Sequence, residues 1–146
     1  THFIKEQFEK KENPPTSMTV MLQKEVAEKL CAQPPDMNVL ALNVQPFGKA
    51  TYAFTVKKTA FTPQPKIDSA VVHIEMFEKS LVENYDLFFK LVSAGFSQKR
   101  KTLWNSLSKI IPDQKERAKI FENAKIDPQR RAETLSIEEW NYLAGL

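Results

Sequence analysis

Between residues 61 and 72 the chain reads Phe61-Thr62-Pro63-Gln64-Pro65-Lys66-Ile67-Asp68-Ser69-Ala70-Val71-Val72. Each proline fixes φ and removes a backbone donor, so this segment predicts a stiff, extended elbow. The segments Thr51–Val56 and Ala70–Phe77 lie on either side of it, and both are rich in residues that favour β-strands. The pattern predicts two strands joined by the elbow, which resemble a hairpin at the edge of an α/β sheet.

Phe61 has two interpretations. A donor-poor elbow that presents an aromatic ring at a strand edge suits stacking against a flat ligand such as a base. The same residues fit a proline-rich turn whose phenylalanine packs into the core, and residue chemistry alone favours that second interpretation.

The composition describes a chain that can bury a core. Of its 146 residues, 42% are hydrophobic and 27% are charged, with a formal net charge of +3. A mildly basic chain is compatible with an anionic partner. No apolar run approaches the ~20 residues that span a bilayer, so we expect no membrane association. The single cysteine, Cys31, excludes an internal disulfide and a multi-cysteine zinc site, and a cytoplasmic protein is the simplest fit.

The first eighty residues mix helix and strand patterns. They begin with the predicted end of an amphipathic helix over Thr1–Lys10, followed by a loop to Ser17. A short, fully buried strand is predicted over Met18–Leu22, and a helix over Gln23–Leu30 that is ended by Pro34-Pro35. The segment Val39–Val44 fits either a helix or a strand. After residue 80 the strand signals stop. Four helices are predicted, over residues 85–96, 99–111, 113–124 and 137–143. We therefore predict an α/β piece over residues 1–80 and a small helical lobe over residues 81–146.

Residues that carry common catalytic chemistry are scarce. Only three glycines occur, so no glycine-rich loop can cradle a phosphate or nucleoside cofactor. Of the two histidines, His73 lies in an alternating strand and is interpreted as an exposed or hydrogen-bonded sheet residue. The sequence predicts no metal site and no recognisable catalytic centre.

Basic residues form the positive signal. Lys99, Arg100 and Lys101 are consecutive at the start of a predicted helix, and Thr102, Asn105 and Ser106 follow within a turn and a half. Arg130 and Arg131 form a second pair on a predicted turn. Cations and polar groups of this kind neutralise and contact nucleic-acid phosphates. A solvated charged face is the alternative, while Trp104 and Trp140 are interpreted as core anchors of the lobe.

Four segments together resemble the C-terminal part of the ribosomal RNA small-subunit adenine-N6,N6 dimethyltransferases. They are residues 21–28, residues 61–72, the segment Lys99-Arg100-Lys101-Thr102-Leu103-Trp104-Asn105-Ser106-Leu107 and the segment Arg130-Arg131-Ala132-Glu133-Thr134-Leu135-Ser136. The resemblance implies the C-terminal part of a Rossmann-like methyltransferase sheet followed by a helical domain.

The resemblance also implies an activity and a site. Members move methyl groups from S-adenosylmethionine to adjacent adenines of small-subunit (16S) rRNA, each adenine being extruded and stacked between aromatic rings. Phe61 would hold the base from one side, Pro63 and Pro65 would fix the loop, and Lys66 would approach the backbone. The RNA-binding residues implied for the helical lobe are Lys99, Arg100, Lys101, Asn105, Arg130 and Arg131.

This sequence departs from the family in its cofactor residues. The glycine-rich cofactor loop, the acidic ribose ligand and the Asn-Leu-Pro-Tyr motif are absent. We therefore expect a fragment of such an enzyme that binds no cofactor and transfers no methyl group by itself. Two alternatives remain open, a non-catalytic RNA-binding or ribosome-assembly module and a protein–protein module whose charge is merely solvated.

Overall fold

The computed structural model describes Glu6 and residues 15–145. Apart from Glu6, the helix predicted over Thr1–Lys10 and most of the following loop lie outside the described residues. The described chain divides into two compact units. The first comprises the described residues up to Ala32 together with Asn43–Ser80, and the second comprises Gln33–Leu42 and the residues from Leu81 onward.

The first unit is built on a three-stranded antiparallel sheet. Its strands are β1 (Ser17–Gln23), β2 (Gly48–Val56) and β3 (Ser69–Met76), in the order β1-β3-β2. The predicted pairing of the two strands around the elbow is confirmed, with Gly48 opposite Met76 and Val56 opposite Ser69. Since β3 pairs with both neighbours, it is the central strand and β2 lies at an edge.

The prediction of a fully buried strand at Met18–Leu22 is wrong in its burial. Residues of β1 alternate between half-buried and exposed, and 55% of Met21 is accessible. An edge strand in an antiparallel sheet needs only one covered face, which gives alternation rather than continuous burial. On the central strand, Ala70, Val72 and Ile74 are buried, while His73 accepts or donates a 2.9 Å hydrogen bond with Thr19 Oγ1 across the sheet.

Two short helices also lie within residues 24–44, the first in the first unit and the second across the boundary at residue 42. Helix α1 (Lys24–Leu30) follows β1 directly and lies against all three strands, with Ala27 and Leu30 buried. The ambiguous segment forms helix α2 (Val39–Val44), where the Asn38 side chain accepts a hydrogen bond from the Ala41 amide. A helix at this position places Ala41, Leu42 and Val44 in buried positions, which explains its continuous apolar run.

The second unit is helical. It contains α3 (Tyr85–Phe96), α4 (Leu103–Ser106), α5 (Gln114–Ala124) and α6 (Ile137–Ala144), with short 3₁₀ helices at Leu107–Lys109 and Ala132–Thr134. Capping side chains begin three of these helices: Asn84 caps α3, Asp113 caps α5, and Ser136 forms a capping box with Glu139 at α6.

Trp140 is completely buried among the side chains of these helices, as predicted for a core anchor. Gly95 of α3 makes room for it, since a Cβ atom at that position would come within 2.5 Å of the Trp140 ring. Trp104 is only half-buried and packs against the same core, with the Arg117 guanidinium 4.2 Å from its ring centre.

Candidate nucleic-acid interface

The Phe61 loop, residues 61–68, connects the 3₁₀ helix Lys58–Ala60 to β3. Phe61 has extended backbone angles and a half-buried side chain, so its ring is neither enclosed in the core nor fully exposed. Pro63, Pro65 and Lys66 are exposed, and the Thr62–Pro63 peptide bond is cis. The loop therefore displays its prolines and its lysine on the surface.

Asp68 anchors both ends of this loop. Its Oδ1 atom accepts a 2.9 Å hydrogen bond from the Lys58 amide, and the Lys57 ammonium lies 3.5 Å from Oδ2. Its backbone carbonyl accepts a 3.0 Å hydrogen bond from the Lys24 amide at the start of α1. The hydrogen bond from Lys58 and the nearby lysine charges hold the pKa of Asp68 below its ordinary value. Asp68 is therefore ionised at neutral pH.

A shallow cleft of about 400 Å³ opens beside this anchor. Its lining consists of Lys24, Glu25, Glu28, Lys58, Lys66, Ile67 and Asp68. The Lys24 ammonium lies 3.8 Å from Glu28, whereas Lys58 and Lys66 form no ion pair with any residue of the described part of the chain. These two cations remain available to an anion such as a phosphate.

The basic turn, residues 97–102, carries Lys99, Arg100 and Lys101. The prediction that these cations begin a helix over residues 99–111 is wrong, because α4 starts only at Leu103 and continues as a 3₁₀ turn to Lys109. All three side chains are exposed, and within residues 15–145 none of them is paired with a carboxylate. The turn thus presents three uncompensated charges to solvent.

Tertiary hydrogen bonds explain where α4 begins. The Leu103 amide donates to the Arg130 carbonyl over 2.8 Å, and the Trp104 amide donates to the Pro128 carbonyl over 3.0 Å. The first amides of a helix have no acceptor within the helix. Here a turn distant in sequence supplies the acceptors, so the helix can begin at Leu103 without leaving these amides unpaired. Leu103 is fully buried, which fixes the same starting point.

The polar residues that follow the turn differ in their availability. Asn105 is exposed, and its Nδ2 donates to Thr102 Oγ1 over 3.2 Å. Ser106 is buried and donates to the Thr102 carbonyl. The interpretation of Ser106 as a phosphate donor is therefore wrong, since its one hydroxyl proton is used inside the fold.

The two arginines of the second pair have different surroundings. Arg131 is exposed, whereas Arg130 is half-buried and donates to both carboxylate oxygens of Glu139 and to Thr134 Oγ1 and O. Partial burial by itself raises the pKa of Glu139, but hydrogen bonds from Arg130 and from the Ser136 amide lower it below its ordinary value overall. Arg130 is thus largely occupied by internal partners.

Two further exposed lysines are candidates for the same interface, although no run of charges marks them in the sequence. Lys90 on α3 and Lys109 after α4 are exposed, and both line one groove of the helical unit. Residues 87–111 contain five cations and no aspartate or glutamate. This absence of acidic residues is the sequence signal for Lys90 and Lys109, which do not belong to a run of consecutive charges.

Among Glu6 and residues 15–145, no three histidine, cysteine, aspartate or glutamate side chains cluster as metal ligands do. Over the same described residues, every helix is too short or too polar to cross a bilayer.

The family model described as ribosomal RNA adenine dimethylase matches residues 1–145. The chain belongs to this family. It is 41% identical over 132 residues to the ribosomal RNA small subunit methyltransferase A of Clostridium acetobutylicum, covering 88% of this chain and 48% of that protein. The corresponding protein of Bacillus pumilus is 43% identical over 141 residues, covering 91% of this chain and 48% of that protein. The chain spans about half the length of the curated relatives it matches.

Solved structures extend this likeness to the fold. A dimethyladenosine transferase from Plasmodium falciparum matches with a TM-score of 0.81 and 24% identity, over 97% of this chain and 60% of that one. The 23S rRNA methyltransferase ErmE matches with a TM-score of 0.68 and 18% identity, over 98% and 58%. The predicted class, an α/β piece from a methyltransferase sheet followed by helices, is confirmed.

Proposed function

We propose that this chain is the target-binding part of an rRNA dimethyltransferase that methylates adjacent adenines of small-subunit (16S) rRNA. The observation that carries the proposal is the basic turn, where Lys99, Arg100 and Lys101 are exposed and unpaired within the described residues of a chain of this family. Unpaired surface cations are what phosphate binding requires, because each contact releases counterions from the RNA. An rRNA substrate also implies a cytoplasmic location.

The Phe61 loop contributes the base contact in this proposal. The half-buried ring of Phe61 stacks on one side of an extruded adenine, and Pro63 and Pro65 restrict the loop that carries it. Lys66 contacts the RNA backbone from the rim of the adjoining cleft. Asp68 keeps the loop closed at its base through the Lys58 amide.

The helical unit contributes the rRNA contact. Arg131 joins the basic turn as an exposed cation, and Asn105 offers its side-chain oxygen. Arg130 acts through other residues: its side chain fixes the turn whose carbonyl receives the Leu103 amide, and this bond sets the end of the basic turn. Arg130 is thus a positioning residue in this proposal.

S-adenosylmethionine supplies the methyl group in the parent reaction, and the glycines of this chain do not fit it. A Cβ on Gly48 would lie 2.6 Å from the Glu75 carbonyl oxygen, and Gly95 is packed against Trp140. No glycine in the described residues has a positive φ. These glycines serve close packing rather than a cofactor loop, so we derive no step through the cofactor.

Salt-dependent RNA binding tests the proposal. Replacing Lys99, Arg100 and Lys101 together by alanine is expected to weaken binding of the chain to a small-subunit rRNA fragment by at least about tenfold at low salt. Each phosphate contact contributes ~0.7–0.9 to the slope of log K against log salt concentration, so the slope should fall by about two. Fluorescence anisotropy at several salt concentrations measures both quantities.

A matched control removes the same charge elsewhere. Lys49, Lys115 and Lys119 are exposed lysines away from the basic turn in sequence, and their triple alanine variant should bind nearly as well as the unmodified chain. Equal weakening of the two triple variants would favour diffuse charge over a defined site. RNA binding without salt dependence would overturn the proposal and its alternative, a non-catalytic RNA-binding module.

A further inference from the structure

A groove in the helical unit lies next to the basic turn along the chain. We call it the α3–α4 groove; it has a volume of about 430 Å³ and is lined by Phe89, Lys90, Ser93, Ala94, Ser97, Ser106, Lys109 and Ile110. Ser97 is both a lining residue of the groove and the first residue of the basic turn. The two features therefore meet at one residue.

The charge of the groove has a single sign. Lys90 and Lys109 are its only charged lining residues, both are exposed, and neither is paired with a carboxylate in the described part of the chain. The acid-free segment 87–111 carries five positive charges in a protein whose formal net charge is only +3. An anionic occupant is favoured because nothing in the lining repels it.

The remaining lining suits a base and a sugar. Ile110 leaves 44% of its surface accessible, and Phe89 and Ala94 are half-buried beside it. Ser97 Oγ donates to the Ala94 carbonyl over 2.7 Å, which leaves its lone pairs free to accept a hydrogen bond. A ribose 2′-hydroxyl is a donor of the matching kind.

We propose that the α3–α4 groove seats one unpaired nucleotide of the rRNA, with its base against Ile110 and its flanking phosphates on Lys90 and Lys109. This inference rests on the proposed function, because it extends the RNA contact of the basic turn. An acidic peptide also complements apolar surface edged by lysine. RNA is favoured because Ser97 in the lining begins the turn that carries three further cations, and because its hydroxyl oxygen suits a sugar.

Two hairpin RNAs of equal length test this assignment, one fully paired and one with a single bulged adenosine. The Lys90→Ala/Lys109→Ala variant of the full chain should bind the bulged hairpin about tenfold more weakly, with a salt slope lower by about 1.5. Ile110→Ala should leave the salt slope unchanged and reduce the preference for the bulged hairpin by about threefold or more. Circular dichroism verifies that the variants fold.

Lys115→Ala/Lys119→Ala is the matched control, since it removes two exposed lysines from α5. If the basic-turn variant loses RNA affinity while the groove variants bind both hairpins normally, the groove assignment is wrong and the proposed function stands. If neither set of variants changes RNA affinity, both are overturned. If the groove lysines are needed to bind a polyglutamate probe but not to bind RNA, the groove serves an acidic protein. That result also overturns the assignment.

Discussion

At the scale of single residues, Asp68 determines where the Phe61 loop is closed. Its carboxylate bonds the Lys58 amide ten residues earlier, and its carbonyl bonds the Lys24 amide. Because the hydrogen bond from Lys58 lowers the pKa of Asp68, the stability that this hydrogen bond contributes is present above the ordinary pKa of an aspartate. It is lost as the pH falls through the lowered value, so the loop stays closed at neutral pH.

Phe61→Ala tests the proposed base contact in any longer form of the protein that transfers methyl groups. Stacking of one base on one aromatic ring contributes ~1–3 kcal/mol, so turnover should fall about 5- to 150-fold. Cofactor affinity should stay within about twofold, because in the proposed arrangement the ring contacts the adenine and not the cofactor. Methyl transfer to rRNA and calorimetric titration of the cofactor measure the two effects separately.

Tyr142→Ala is a suitable control for this substitution. Tyr142 is the most exposed of the large hydrophobic side chains noted in the described residues, at 64%, and it lies on α6 rather than in the loop. The Tyr142→Ala variant should leave turnover unchanged. If Phe61→Ala instead lowers thermal stability and cofactor affinity together, the ring belongs to the core, as residue chemistry alone favours.

At the scale of elements, the turn before the 3₁₀ helix Ala132–Thr134 organises the start of α4. The carbonyls of Pro128 and Arg130 receive the first amides of α4, while the Arg130 side chain is bonded to Glu139 on α6. One arginine therefore connects a turn to a helix that begins seven residues later. This connection explains why the segment Arg130-Arg131 is only partly exposed.

Glu139→Gln tests this connection, because glutamine retains a capping side chain but removes the charge. At pH 7 we expect the free energy of unfolding to fall by about 1 kcal/mol, the scale of a partly exposed charged hydrogen bond. The pKa of Glu139 is lowered in the folded state. The stability that its carboxylate contributes is therefore present above the ordinary pKa of ~4.3 and is lost as the pH falls through the lowered, folded-state pKa. Urea unfolding at pH 7 and below pH 4 measures the difference.

Glu138→Gln is the control for that experiment, since Glu138 is exposed on the same helix and in the same first turn. Its effect on stability should be small at both pH values. A stability difference for Glu139→Gln that persists unchanged below pH 4 would mean that the ion pair with Arg130 is not its source.

For the molecule as a whole, the described residues present exposed cations but no glycine with a positive φ that could form a cofactor loop. We expect isothermal titration with S-adenosylmethionine to give no binding heat for this chain. The full-length Clostridium acetobutylicum relative, titrated in parallel, serves as the positive control. Saturable binding to this chain would contradict the prediction and would require a cofactor site built without flexible glycine.

Much of the fold follows from local patterns. The strands around the elbow, the helices α3, α5 and α6, and the buried Trp140 were predicted from residue type and periodicity. Such signals depend on neighbours within a few positions, and the sequence contains them in full. The resemblance to the dimethyltransferases likewise came from four short motifs, and the family match confirms it.

Local patterns in the sequence therefore account for the strands, most helices, the family and the cations of the basic turn. Which of these residues remain available depends on contacts between distant segments. Arg130 and Ser106 are bonded inside the fold, Lys99–Lys101 lie on a turn rather than a helix, and Lys90 and Lys109 line one groove. The physical reason is that a polar group's availability depends on partners supplied by distant segments, such as the Pro128 and Arg130 carbonyls, and no local pattern records them.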